Sequence, residues 1–132
     1  MIADLEPAPE TVLLDTTVLI DVLRGNSRAV EFVNTLTEPP ISSEISRVEL
    51  LQGLRQHEFG AAHALIDLME WYPVFEPVTT LAGELGRLWR PSHSGIDAAD
   101  LVIAATSQLT GARLATLNVR HFPMFEGLQA AY

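Results

Sequence analysis

The chain has 132 residues, a formal net charge of -9, no cysteine, and eight basic residues that are all arginine. Disulfide frameworks, thiolate zinc sites and cysteine nucleophiles are therefore excluded, as are the P-loop, Schiff-base and phospho-receiver chemistries that need a lysine ammonium. A chain this long fits one domain burying roughly two-thirds of the surface its unfolded form exposes. Its acidic balance makes it a poor general binder of nucleic acid, so any such role must rest on local arginines and bound cations.

No apolar stretch is long enough to cross a bilayer, and Met1 to Pro7 lacks the basic flank and apolar core of a signal peptide. A cytoplasmic protein is expected. Residues 1–10, with Pro7 and Pro9, read as a flexible leader and 11–132 as a single domain. Thr11 to Leu14 is a β-branched apolar run suited to a central strand, and Val18 to Leu23 continues as a helix that Gly25 can end. Ser27 offers an N-cap for a helix to about Leu36, and Pro39-Pro40 breaks the chain before a short strand near Ile41-Ser42.

Ser46 is expected to cap a helix carrying Val48, Leu50, Leu51 and Leu54. Apolar residues at helical spacing run from Phe59 to Trp71, Tyr72 to Val78 reads as a strand, and Thr80 to Trp89 as a helix stopped by Pro91. An alanine-rich helix from Asp97 to Leu109 ends at Gly111, before a strand from about Arg113 to Leu117. Alternating strands and helices imply an α/β fold: a central, mainly parallel sheet between two helical layers, with ligands bound beyond the carboxyl ends of the strands.

Three carboxylates stand beside residues that read as buried. Asp15 ends the run Val12-Leu13-Leu14, Glu49 lies between Val48 and Leu50, and Asp100 opens the apolar run from Leu101 to Ala105. A buried carboxylate needs a cation or hydrogen bonds to hold it, which makes a metal site the first hypothesis. Each residue also has a plain structural reading. Asp15 and Asp97 can cap the helices that follow them, Glu49 can be a solvated helix residue, and Asn118 can shape a turn.

Glu49 has no cation at i-4, i-3, i+3 or i+4, so no local ion pair explains it. The histidines His57, His63, His93 and His121 show no i, i+4 pairing and read as surface or packing residues. Oxygen-only ligands suit magnesium or manganese.

The order of these segments resembles a PIN-domain ribonuclease of the VapC toxin type. The motifs are Leu14-Asp15-Thr16-Thr17, Arg47-Val48-Glu49-Leu50, Asp97-Ala98-Ala99-Asp100 and Ala115-Thr116-Leu117-Asn118-Val119-Arg120-His121-Phe122. The resemblance runs from about Thr11 to the C-terminus. It implies a three-layer αβα sandwich and a metal-dependent endoribonuclease in which Asp15, Glu49 and Asp100 hold Mg2+ or Mn2+. Asn118 falls where many members carry a fourth acidic residue, while Asp97, Thr16 and Thr17 would support the ligands. A homodimer, an RNA substrate and a cognate VapB-type antitoxin are implied too. The rival readings are a catalytically silent PIN-fold binding module and a PIN nuclease acting on DNA or flap substrates.

Overall fold

The structure, a computed structural model, describes residues 10–132, so the expected leader lies outside the described residues except for Glu10, whose carboxylate pairs with Arg113 at 2.7 Å. Four strands, β1 (Val12–Leu14), β2 (Ile41–Ser43), β3 (Glu70–Tyr72) and β4 (Arg113–Ala115), form one sheet in the order β3-β2-β1-β4. Every pairing is parallel. Six α-helices fill the connections: α1 (Thr16–Leu23), α2 (Ser27–Asn34), α3 (Glu44–Gln52), α4 (Phe59–Asp67), α5 (Glu76–Trp89) and α6 (Ala98–Thr110).

Alternation along β1 divides the core. Val12 and Leu14 pack with Val18, Leu19, Leu50 and Ile66 on one face, whereas Leu13 packs with Val78, Leu85, Ile103 and Leu114 on the other. Successive side chains of a strand point to opposite faces, so both faces of a central strand must be apolar when helices cover both. The three-layer sandwich follows. Gly86 allows the close approach of α5 to α6, because a Cβ there would stand 2.9 Å from Leu101 Cδ1.

Several boundaries differ from expectation. The N-cap of α3 is Ser43, whose hydroxyl accepts from the Ile45 amide; Ser46 sits inside the helix, fully buried, with no hydrogen-bond partner for its Oγ. The strand expected over Tyr72 to Val78 lies earlier, at Glu70–Tyr72, and α5 begins at Glu76 with a proline in its first turn. Proline is compatible with a first helical turn, where amide protons lack partners in any case. Asn26 rather than Ser27 caps α2. Asp97 caps α6 and Gly111 ends it in the left-handed region at φ 73°, as the sequence indicates.

The chain runs β1 to β2 to β3 in one direction, then returns to place β4 on the other side of β1. The strand order therefore reverses between β1 and β4, and the carboxyl ends of strands at such a switch point are where open parallel sheets bind ligands.

Candidate metal centre and its surroundings

Asp15 follows β1 at that switch point and is only 4% exposed. Its Oδ1 accepts from the Thr16 amide at 2.7 Å, so it does cap α1. Its Oδ2 accepts from the hydroxyls of Thr17 at 3.0 Å and Thr116 at 2.6 Å. The cap and ligand readings are compatible, since one oxygen serves the helix and a carboxylate offers about four lone-pair sites in all.

The hydroxyl of Thr16 donates to Glu49 Oε1 at 2.6 Å, joining α1 to α3. Glu49 is thus half-buried and turned toward Asp15 instead of being solvated on an outer face. Its other oxygen accepts no hydrogen bond among the described residues.

Asp100 is buried in the first turn of α6 and forms a reciprocal box with Asp97: the Asp100 amide donates to Asp97 Oδ1 at 2.9 Å and the Asp97 amide to Asp100 Oδ2 at 3.1 Å. Desolvation pushes the Asp100 carboxyl up to about 6, and the neighbouring Asp97 charge adds to this, while the Asp97 amide and His121 pull the other way. A buried carboxyl this reluctant to ionise is one that a cation would relieve.

His121 corrects the sequence reading. It is no ordinary surface residue, for its Nδ1 lies 2.9 Å from Asp100 Oδ2 and 2.9 Å from Asn118 Nδ2. Asn118 in turn donates its backbone amide to Thr116 Oγ1 at 2.9 Å. Hydrogen bonds therefore link Glu49, Thr16, Asp15, Thr116 and Asn118, and His121 Nδ1 stands within hydrogen-bond distance of both Asn118 and Asp100, donating to the Asp100 carboxylate when protonated and accepting from the Asn118 amide group when not. Neither Thr116 nor His121 stands out in the sequence as a site residue. Thr116 does leave a usable signal: it follows β4 as Asp15 follows β1, so both side chains meet at one edge.

Among the described residues, no group of three or more acidic or histidine side chains is placed to hold one metal ion, so Asp15, Glu49 and Asp100 do not meet as a three-ligand set. The donors nevertheless fit magnesium in kind. That ion favours oxygen, keeps several waters, and is commonly bound through one or two carboxylates plus substrate phosphates instead of an all-protein cage. Asp15, Glu49 and Asp100, the last supported by Asp97 through the box at the helix start, supply carboxylates of that kind.

Fold and site together describe a small α/β protein with acidic residues at a parallel sheet's switch point. The chain belongs to the PIN domain family, whose model matches residues 12–124. It is 43% identical over 123 residues to Ribonuclease VapC19 of Mycobacterium tuberculosis, covering 91% of this chain and 98% of that protein. It is 37% identical to Ribonuclease VapC10 of the same organism, covering 92% of each. Among solved structures, it is similar to a toxin-antitoxin complex from Klebsiella pneumoniae, with TM-score 0.80 and 21% identity over 92% of this chain and 98% of that one. FitAcB from Neisseria gonorrhoeae matches with TM-score 0.71 and 29% identity over 85% and 91% of the two chains.

Proposed function

We propose that this protein is an endoribonuclease toxin that hydrolyses phosphodiester bonds in cellular RNA with Mg2+ or Mn2+, acts in the cytoplasm, and is neutralised by a cognate VapB-type antitoxin. The observation that carries the reading is the hydrogen-bonded set joining Asp15 to Glu49 through Thr16 and to Asn118 through Thr116, with His121 between Asn118 and Asp100, in a chain that matches a named ribonuclease over nearly its whole length.

A divalent cation, when bound, would neutralise the scissile phosphate and acidify an attacking water. The residues supply position. Three donors hold Asp15, and the Thr16 hydroxyl holds Glu49, so the residue whose amide donates to Asp15 also ties down the second carboxylate. The box with Asp97 and the contact with His121 fix Asp100 at the start of α6. Asn118 orients His121 and does not need to touch the metal itself. Rigid placement of this kind supplies much of what hydrolysis of a phosphodiester requires, because an in-line attack depends on alignment.

Charge favours the antitoxin. An acidic crevice in a chain of net charge -9 would attract a basic segment, whose arginine can bind carboxylates in a two-pronged geometry and obstruct the RNA path. Brief expression of the wild-type chain in a host cell, followed by mapping of new RNA ends, tests the reading. Discrete new ends that are absent with Asp100→Asn and suppressed by the co-expressed antitoxin are expected. Identical ends from both chains would reject it.

A further inference from the structure

Three of the eight arginines are paired: Arg24 with Glu58, Arg47 with Glu44 and Arg113 with Glu10. Arg87, Arg90 and Arg120 are exposed and form neither an ion pair nor a side-chain hydrogen bond with any described residue. Their placement is not scattered. Arg87 and Arg90, at the end of α5, line an open cavity of about 550 Å3 that reaches Ser94 and Leu101. Arg120 lines a second cavity, of about 300 Å3, with His93, Gly95 and His121.

The turn from Pro91 to Ile96 contributes to both cavities, so they lie on either side of one short segment. That segment leads directly into the helix bearing Asp100. The second cavity shares a wall with the candidate metal centre, because His121 lines it and stands 2.9 Å from Asp100. Arg28 and Arg55 likewise form no side-chain ion pair with a described residue, but Arg28 lines a separate cavity beside Tyr132, whereas Arg87, Arg90 and Arg120 line the two cavities that meet at this turn.

We propose that these two cavities bind the phosphates of the RNA strand next to the scissile bond, Arg120 taking the nearer phosphate and Arg87 with Arg90 the farther ones. This rests on the ribonuclease reading and extends it to the path of the substrate. Guanidinium groups bind phosphate through paired donors and remain charged at all working pH values. The partly exposed imidazole of His93, packed edge-on to Trp89 with ring centroids 5.8 Å apart, adds a flat surface beside the path where a base can stack. An acidic peptide is the less suitable occupant, since Asp97 follows Ile96 of the second cavity and repels carboxylates without the compensation a bound cation gives a phosphate strand.

The test uses the full chain and a short single-stranded oligoribonucleotide that the wild type cleaves. Arg120→Ala, and Arg87→Ala with Arg90→Ala, should raise KM by about tenfold for each phosphate left without its guanidinium. kcat should be little changed, and so should the rise in melting temperature caused by magnesium, which reports on the carboxylates. The logarithmic salt dependence of binding should fall by about 0.7 for each phosphate so released. Wild-type KM and salt slope in all variants would overturn the proposed path while leaving the ribonuclease reading intact. A wild-type chain that neither binds nor cuts RNA would overturn both.

Discussion

Thr116 donates its hydroxyl to Asp15 Oδ2 at 2.6 Å, joining two residues 101 positions apart in the chain, each at the carboxyl end of a central strand. Thr116 is fully buried and also accepts from the Asn118 amide, so one hydroxyl holds both halves of the centre. Thr116→Val keeps the shape and removes both bonds. It should cost about 1–3 kcal/mol of stability and lower the cleavage rate by at least about tenfold, whereas Thr116→Ser should restore most of both. Urea melts and cleavage rates for the pair check this; a valine variant equal to wild type in both would show the hydroxyl to be dispensable.

Asp100 gives a pH dependence whose sign follows from its burial. The folded-state value, about 6, lies above the ordinary 3.8, so the native state holds the proton more tightly than the unfolded chain does. The favourable contribution is complete below about pH 3.8 and is lost as pH rises through 6. In chelator at pH 7.5, Asp100→Asn should therefore be more stable than wild type, by at most about 3 kcal/mol. Its advantage should shrink as pH falls from 6 to 4. Equal melting temperatures across the range would show that the ionised carboxyl carries no penalty.

Magnesium should raise the melting temperature more than sodium chloride of equal ionic strength, since a bound cation relieves repulsion and desolvation that general screening leaves in place. Asp100→Asn should lose most of the difference, and Asp97→Asn less, because Asp97 acts on Asp100 mainly through the box at the helix start. The same rise in both salts would argue against a specific site.

Ser46 buries a hydroxyl that finds no partner. Ser46→Ala should be neutral or stabilising by up to about 1 kcal/mol, as an unsatisfied buried polar group is costly. Thermal melts in chelator measure it, and a loss of more than about 1 kcal/mol would mean that the hydroxyl is bonded in solution.

The same residue shows how far sequence reaches. Alternating strands and helices, the cap at Asp97 and the stop at Gly111 are legible because they depend on neighbours in the chain. Ser46 and Ser43 both offer a cap to the same apolar run, and only the end of β2 decides between them. The early start of α5 hides behind Pro77, which reads as a breaker unless it is known to sit in a first turn. In the centre, Asp15, Glu49 and Asp100 stand out as acids beside apolar runs. Thr116 and His121 do not, because their roles come from partners 101 and 21 residues away.

Metal-dependent cleavage is most directly tested by incubating the purified chain with RNA in chelator, then with added magnesium or manganese, beside Asp100→Asn. No cleavage is expected in chelator, cleavage on adding either metal, and none by the folded asparagine variant under any condition. Cleavage in chelator, or an Asp100→Asn chain that cuts RNA at the wild-type rate, would contradict the assignment of these carboxylates to a catalytic metal.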